Sequence, residues 1–540
     1  MDRGNIQIFR FLVMLRLTTQ SKIILIYSFL AAVIFNYTLV EKVLEIYPIS
    51  SGGLTFIISL LILVTTINAL FLSLISNKFT LKVVFSAFTL IGIYSSYFAY
   101  KFGIIIDDVM ILNIISTDAA EASGLLTLDI ILISIFAVIA VFIISKVKIP
   151  FENLKKEAIA RLMLLVCLPL VMVGVIFLNS AAFASFFREH KEIRYYTNPI
   201  TPIYSTINLL HENLTSDKRE LEIIDPAPYA KISYEDSDYE LVILIVGETA
   251  RSDRMSLNGY EKNTNPYTSN IKNIISYTNF WSCGTSTAVS VPCLFSYTNR
   301  KDWKKDDIYL RENVLDTLHK QGVYVEWRDN NSSSKGVADR IPYLNYRNAD
   351  INPNCDIECR DIGMLDGLET VVKNHPNQDI LIVLHAMGSH GPQYAARVPE
   401  TYKKFFPECK TNDLQSCSVE EISNAYDNTI VYQDYLNSLA IDFLKKFPER
   451  DARFLYISDH GESLGEDGMY LHGYPYRFAP ENQKKVAALT WAPQGSDIPQ
   501  YEVMKMKHEE LSHNNLACSL LELFEVDSEI CSDFQSMFRN

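Results

Sequence analysis

Five apolar runs in the first third of the chain decide what it can fold into. They cover residues 21–40, 53–75, 80–102, 126–145 and 161–181, with almost no charge inside them. A helix of about 20 residues crosses the hydrocarbon core of a bilayer. Five such runs in close succession are hard to place as buried helices of a soluble core. The first is also too long for the apolar part of a cleaved leader, and no clear small-residue cleavage site follows it. We expect five membrane helices.

The loops between the runs set the orientation. Arg3, Arg10, Arg16 and Lys22 flank the first run, Lys78 and Lys82 lie in the second loop, and Lys146, Lys148, Lys155, Lys156 and Arg161 lie in the fourth. Cytoplasmic loops carry the excess of Lys and Arg. The third loop is acidic, with Asp107, Asp108, Asp118 and Glu121, and belongs outside. Five crossings then put the rest of the chain outside, in the periplasm if the cell is Gram-negative. The division expected is a transmembrane domain over 1–185, interfacial helices and linker over 186–238, and a soluble domain over 239–540. A net charge of −14 argues against nucleic acid as a partner.

Cysteine usage agrees with an oxidising compartment. Of nine cysteines, Cys167 lies in the fifth apolar run and the rest lie in the soluble domain. Their sequence neighbours suggest the pairs Cys283–Cys293, Cys355–Cys359 and Cys409–Cys417, with Cys518–Cys531 less constrained. No Cys-x2-Cys pair points to a zinc site of cysteines.

Three strand-like runs end in residues that bind metals. "YELVILIVGE" ends at Glu248, "DILIVLHAMGSH" passes His385 and ends at His390, and "RFLYISDHGES" carries Asp459, His460 and Glu462. Helical patterns between them, such as 422–447, imply a mostly parallel sheet covered by helices. Ligands in such sheets sit at the carboxyl ends of strands. His472 follows in "GMYLHG". Glu248, His390, Asp459, His460 and His472 together mix carboxylate with imidazole. That mixture suits zinc better than calcium or magnesium, which prefer oxygen alone.

The stretch "SCGTSTAVSVPC", residues 282–293, offers five hydroxyls: Ser282, Thr285, Ser286, Thr287 and Ser290. A hydroxyl needs a base or a metal to become a nucleophile. A helix starting inside the loop would add backbone N–H groups for a phosphate. Composition does not choose among the five.

The motifs "GETARSDRMSLNGY", "CGTSTAVSVPC", "SHGP" and "DHGESLGEDGMYLHG", in this order, resemble the phosphoethanolamine transferases that modify lipid A, including the mobile colistin-resistance enzymes. The resemblance covers essentially the whole chain. It implies an α/β fold class: a five-helix transmembrane domain followed by a periplasmic α/β/α domain of the alkaline-phosphatase/sulfatase type, anchored in the bacterial inner membrane. It implies Thr287 as nucleophile, and one tightly held zinc bound by Glu248, Thr287, Asp459 and His460. His390 and His472 match residues that bind a second zinc or the substrate phosphate. Lys335 and Asn331 match substrate-binding residues. Asn113, Thr117 and Glu121, spaced to share one face of a helix, match residues for the ethanolamine head group. His385 takes no role from the resemblance. Family members often carry a longer loop between the middle cysteines than the three residues separating Cys355 from Cys359.

The reaction so implied is ping-pong. Thr287 takes phosphoethanolamine from phosphatidylethanolamine, and the group then passes to a phosphate of lipid A, which lowers its negative charge and its affinity for polymyxins. A monomer is expected. Transfer to another envelope glycan shares everything but the acceptor, and a sulfatase- or phosphatase-like hydrolase shares the fold and metal logic. A tethered zinc-binding or sensor domain is disfavoured, because neither Thr287 nor any metal ligand is missing.

Each short-loop disulfide should contribute about 2–4 kcal/mol. Replacing Cys283 and Cys293 with serine should lower the yield of folded protein and its resistance to protease. Thiol titration of unfolded, unreduced protein that found all nine cysteines reactive would refute both the bridges and the compartment.

Overall fold

In hydrocarbon, a spanning chain must satisfy its own backbone polar groups, so apolar runs of this length become helices. The computed structural model describes residues 17–539 apart from 52, 118–121, 123, 151–152, 216–222, 234–237 and 533–534. The first run forms two helices, α1 (Thr19–Ile34) and α2 (Tyr37–Ile46), bent by 55°. The break falls at Asn36. Its buried amide donates to the Asn198 carbonyl at 2.9 Å and accepts from the Asn198 N–H at 2.9 Å. Then follow α3 (Gly53–Ile75), α4 (Leu81–Phe102), α5 (Asp108–Ser116), α6 (Leu128–Lys146) and α7 (Leu154–Leu178). Among the described residues, four helices are long and apolar enough to span, or five if the bent pair is one span.

α7 starts before its apolar run because the Asn153 side chain caps it, accepting from the Lys155 N–H. Ile131, Leu132, Ile135 and Phe136 of α6 are exposed, as lipid-facing residues would be. Polar groups in this unit find one another. The Thr18 hydroxyl donates to Glu157 at 2.7 Å, and Lys101 pairs with Asp129 at 2.9 Å. The 186–238 stretch, expected as interfacial helices and linker, includes the end of α8 (Ser180–Glu189) and α9 (Ile200–Thr215). The chain forms two compact units, residues 1–111 with 128–215, and residues 112–127 with 216–540.

The second unit is built on a seven-stranded sheet. Its strands are β1 (Glu240–Gly247), β2 (Ile275–Tyr277), β3 (Tyr324–Asp329), β4 (Tyr343–Asn345), β5 (Ile380–His385), β6 (Asp451–Ser458) and β7 (Ala488–Trp491). The order is β2-β7-β6-β1-β5-β3-β4. Strands β6, β1, β5, β3 and β4 are parallel, and β7 runs antiparallel to both neighbours. Every residue of β1 is buried, as a central strand covered on both faces must be.

The period of two along β1 feeds two cores. Val242, Leu244 and Val246 pack on one face with α10 (Thr287–Leu294), α11 (Val314–Lys320) and, toward the carboxyl terminus, Leu516 and Leu520. Leu241, Ile243 and Ile245 pack on the other with α12 (Leu368–Asn374) and α13 (Val419–Leu444). α13 opens on a capping box, in which Ser418 and Glu421 exchange side-chain and backbone hydrogen bonds. The last helix, α14 (Leu516–Leu523), is bridged by Cys518 to Cys531. Cys283–Cys293, Cys355–Cys359 and Cys409–Cys417 are also joined, and Cys167 is free.

Asp434 of α13 secures the segment that follows β1. Its buried carboxylate accepts from Asn265 Nδ2 at 3.1 Å, from the backbone N–H of Tyr267 at 2.7 Å and of Thr268 at 3.2 Å, and from the Thr268 hydroxyl. Asp434→Ala strands several buried donors, so it should destabilise the protein by at least about 3 kcal/mol. The exposed Asp442–Lys445 pair sits on the same helix end, and Asp442→Ala should stay within about 0.5 kcal/mol of wild type. Denaturant unfolding of the full chain in detergent measures both.

Candidate active site

Strands β1 and β6 are neighbours in register, with Gly247 opposite Ser458. The residues just past them, Glu248 on one side and Asp459 with His460 on the other, therefore meet at the carboxyl edge of the sheet. All three are fully buried, and one ligand atom of each lies within 4.8 Å of the others. His460 Nδ1 lies 2.9 Å from the Gly461 carbonyl. A carbonyl only accepts, so Nδ1 carries the proton and Nε2 a lone pair. Nε2 stands 3.3 Å from both Glu248 Oε1 and Asp459 Oδ2, and neither carboxylate oxygen has a hydrogen-bond partner.

Ligand atoms of all three groups thus converge in a buried pocket. Burial, joined by the nearby His472, pulls His460 down to about 3, so its ring does not supply a positive charge to the two carboxylates. Burial and the Glu248 charge raise the Asp459 carboxyl well above the usual range. A divalent cation relieves all three groups at once, and the donor set of two carboxylates and one imidazole fits zinc.

The structure sorts the five hydroxyls of the 282–293 loop. Ser282 donates to the Gly284 carbonyl at 2.6 Å, Thr285 to the Tyr474 carbonyl at 2.7 Å, and Ser290 to the Asp459 carbonyl. The Ser286 hydroxyl is buried with no partner. Of the five, Thr287 meets the cluster: its Oγ1 lies 3.1 Å from Glu248 Oε2 and 3.3 Å from His460 Nε2. It is the first residue of α10, where backbone N–H groups lack helical partners.

The walls hold these groups in place. Thr249 sits at φ 54, a left-handed conformation that is unusual for a β-branched residue, and donates its N–H to Asp459 Oδ1 at 3.2 Å. Gly388, at φ +50, passes so close that a Cβ there would lie 3.0 Å from the Glu248 backbone. Asp361 fixes that turn by accepting the N–H groups of Met387 at 2.8 Å and Gly388 at 3.0 Å.

The remaining expected residues fall as follows. Asn331 donates to Glu248 Oε2 at 2.7 Å and to the Ala386 carbonyl at 2.9 Å. The ring of His472 lies 4.4 Å from that of His460 and 5.4 Å from that of His390. Lys335 donates to the Ser332 hydroxyl at 2.8 Å and to the Ser116 carbonyl, at the end of α5, at 3.4 Å. Thr117 donates to the Asn113 carbonyl at 2.8 Å. Glu121 lies outside the described residues. His385 pairs with Asp329 at 2.9 Å, away from the cluster.

Two buried residues were not foreseen as parts of the site. Glu462 accepts from the Tyr394 hydroxyl at 2.7 Å and faces His472 Nδ1 at 2.9 Å. Its place one residue after "DHG" was the available signal. His513 accepts the Cys283 N–H at Nδ1, at 3.1 Å, and donates from Nε2 to the Ser458 carbonyl at 3.0 Å. It ties the hydroxyl loop to the end of β6, and nothing in "LSHNNL" announces that.

The model for the family "Phosphoethanolamine transferase EptA/EptB" matches residues 64–214, and that for "Sulfatase" matches residues 240–526. The chain is 39% identical over 522 residues to the phosphatidylethanolamine transferase Mcr-2 of Escherichia coli, covering 93% of this chain and 94% of that one. It is 34% identical over 520 residues to the phosphoethanolamine transferase EptA of Escherichia coli K12, covering 94% of each. The solved structure of the integral membrane protein lipooligosaccharide phosphoethanolamine transferase A from Neisseria meningitidis matches with a TM-score of 0.90 at 29% identity, over 95% of this chain and 96% of that one. The protein is an enzyme of the bacterial inner membrane, with its sulfatase-like domain in the periplasm. Matched over nearly its full length in sequence and in fold, the chain belongs to the EptA-like family of phosphoethanolamine transferases.

Proposed function

We propose that this enzyme moves phosphoethanolamine from phosphatidylethanolamine to a phosphate of lipid A, with Thr287 carrying the group between the two, and that the reaction depends on zinc. The observation that carries this reading is the position of Thr287 Oγ1 against Glu248 and His460 at the head of α10. The names of the relatives support the substrates: one is a phosphatidylethanolamine transferase and another acts on lipooligosaccharide. A lipid A so modified carries less negative charge and binds cationic polymyxins less well.

Glu248, Asp459, His460 and Thr287 would hold the zinc. When bound, it would lower the pKa of the Thr287 hydroxyl and offset charge on the phosphoryl group. In the first step the Thr287 oxygen bonds to phosphorus, the bond from phosphorus to the glycerol oxygen breaks, and the Thr287 proton leaves with diacylglycerol. In the second, a lipid A phosphate oxygen bonds to phosphorus, the bond from phosphorus to the Thr287 oxygen breaks, and Thr287 regains a proton from the lipid A phosphate or from water. The N–H groups that begin α10 receive the phosphate oxygens. Asn331 keeps Glu248 turned toward Thr287. Nδ1 of His472 faces a carboxylate and Nδ1 of His390 faces the Gly391 carbonyl at 2.7 Å, so each Nδ1 carries a proton, and in the neutral form the lone pair is on Nε2. That tautomer suits a second cation or a proton acceptor.

Thr287→Ala should reduce transfer to background. Thr285→Ala removes one hydrogen bond, worth about 0.5–1.5 kcal/mol, and should keep roughly a tenth of the activity or more. Wild type given phosphatidylethanolamine without acceptor should accumulate phosphoethanolamine on the chain, located by peptide mass spectrometry. An adduct on another hydroxyl overturns the assignment. Rapid turnover without lipid A favours a hydrolase.

The loop must also stay in place, and His513 makes that depend on pH. Burial pulls His513 down to about 4 from an ordinary 6.5. Between these values the unfolded chain binds the extra proton, so stability rises with pH. The contribution is complete above about 6.5 and lost as pH falls toward 4, about 3 kcal/mol in all. His513→Gln keeps a donor but does not titrate. Its stability should therefore fall less steeply than that of wild type over this range, as read from denaturant unfolding at stepped pH. Parallel curves would exclude the neutral buried imidazole.

A further inference from the structure

A cavity of about 630 Å³ opens on the far side of the hydroxyl loop, lined by Trp281, Arg300, Lys301, Asp302, Tyr476 and Glu510 among others. No step of the proposed reaction uses it. The segment that leads from His472 to its wall is hydrogen-bonded to the hydroxyl loop. The Tyr476 hydroxyl donates to the Ser282 carbonyl at 2.9 Å, and the Gly473 N–H donates to the Thr285 carbonyl at 2.7 Å. Tyr476 in the cavity wall lies four positions after His472 in the site, at most about 14 Å of chain.

The wall has a specific chemistry. The Arg300 guanidinium stacks on the Tyr476 ring, 3.4 Å from its centroid, and its backbone N–H is held by Asn514 Oδ1 at 3.1 Å. Stacking fixes the plane and leaves the N–H edges for another partner. Among the described residues the guanidinium makes no hydrogen bond and no ion pair. Lys484 reaches over the same ring from 5.5 Å, and Lys485 stands 5.8 Å from the Trp281 ring. Burial pulls the Lys484 ammonium down against the attraction of Glu481, and Arg300 adds to the fall. Two cations crowded onto one ring, neither of them in a direct ion pair among the described residues, are a receptor for an oxyanion. Asp302 and Glu510 share the cavity, so it is not a uniformly positive surface. Carboxylates accept from sugar hydroxyls, and the Trp281 ring adds an aromatic wall for sugar to pack on. Cation, carboxylate and aromatic face together match an anionic sugar.

We propose that this cavity binds a second phosphate-bearing sugar of the acceptor glycolipid, with Arg300 on its oxyanion, while a different phosphate of the same molecule meets Thr287. The proposal rests on the transferase reading above, and its test separates the two. Full-length enzyme in detergent is assayed for the donor half-reaction, phosphoethanolamine appearing on the chain from phosphatidylethanolamine. It is then assayed for transfer to lipid A bearing two phosphates and to monophosphoryl lipid A. If wild type forms no adduct, the transferase reading itself fails.

Arg300→Gln should leave the half-reaction within twofold, raise KM for the two-phosphate acceptor about tenfold with little change in kcat, and change KM for the monophosphoryl acceptor less than twofold. Wild type should show a similar rise in KM when the acceptor loses a phosphate. Arg300→Lys keeps the charge, should recover part of the loss, and serves if the glutamine variant does not accumulate. Equal effects on both acceptors, a loss in the half-reaction, or no change in KM each overturn the proposal.

Discussion

The periplasmic unit is arranged around one constraint: two carboxylates and an imidazole are buried together at one edge of the sheet. The parallel pairing of β1 with β6 brings this about. Full burial on both faces holds the two strands in one register, and Gly247 opposite Ser458 places Glu248 beside Asp459 and His460. The sheet therefore imposes the cluster, and burying two carboxylates together costs stability that a bound cation would offset. The walls answer that demand. Asn331 takes one oxygen of Glu248, Thr249 accepts a left-handed backbone to cap Asp459, and His460 turns its proton away toward Gly461. Each contact fixes an orientation without supplying the missing positive charge.

Residues that report on local periodicity were legible in the sequence. The runs before Glu248, His385 and Asp459 read as strands, because a doubly covered strand is apolar at every position, and the metal-binding residue types sit where such strands end. The parallel centre of the sheet follows from the helices between them. The strand order does not, since it depends on which strands pair across more than a hundred residues. His513 shows the same limit. It acts on Cys283, 230 positions earlier, through its ring nitrogens, and nothing in its neighbours carries that information. Glu462 was in view but had no assignment, because its partners Tyr394 and His472 come from separate loops. Choosing Thr287 from five hydroxyls took the family resemblance, since composition records no contact. Asn331 was expected against substrate, and here it reaches the site through Glu248.

In the membrane unit the apolar runs were clear and the polar exceptions inside them were not. The run at 21–40 reads as one span, yet Asn36 ends the first helix because its side chain exchanges two hydrogen bonds with the backbone of Asn198. A buried amide in an apolar unit must find such partners. One oxygen of Glu157 accepts from Thr18, and Lys101 pairs with Asp129. These pairs join α7 to the start of α1, and α4 to α6. They give helices with otherwise uniform apolar surfaces a preferred register.

The choice of threonine at 287 follows from the same economy of orientation. A serine at the head of a helix has several staggered positions, whereas a β-branched side chain has few. With its methyl confined, the Thr287 hydroxyl stays between Glu248 and His460. The neighbouring hydroxyls are kept from competing: Ser282, Thr285 and Ser290 each donate to a backbone carbonyl. The Cys283–Cys293 bridge and His513 hold the loop that carries them. The proposed transfer in two steps would need that atom in the same place for both, since the donor would leave before the acceptor is attacked. The orientational entropy is then lost once, on folding, and not again at each step.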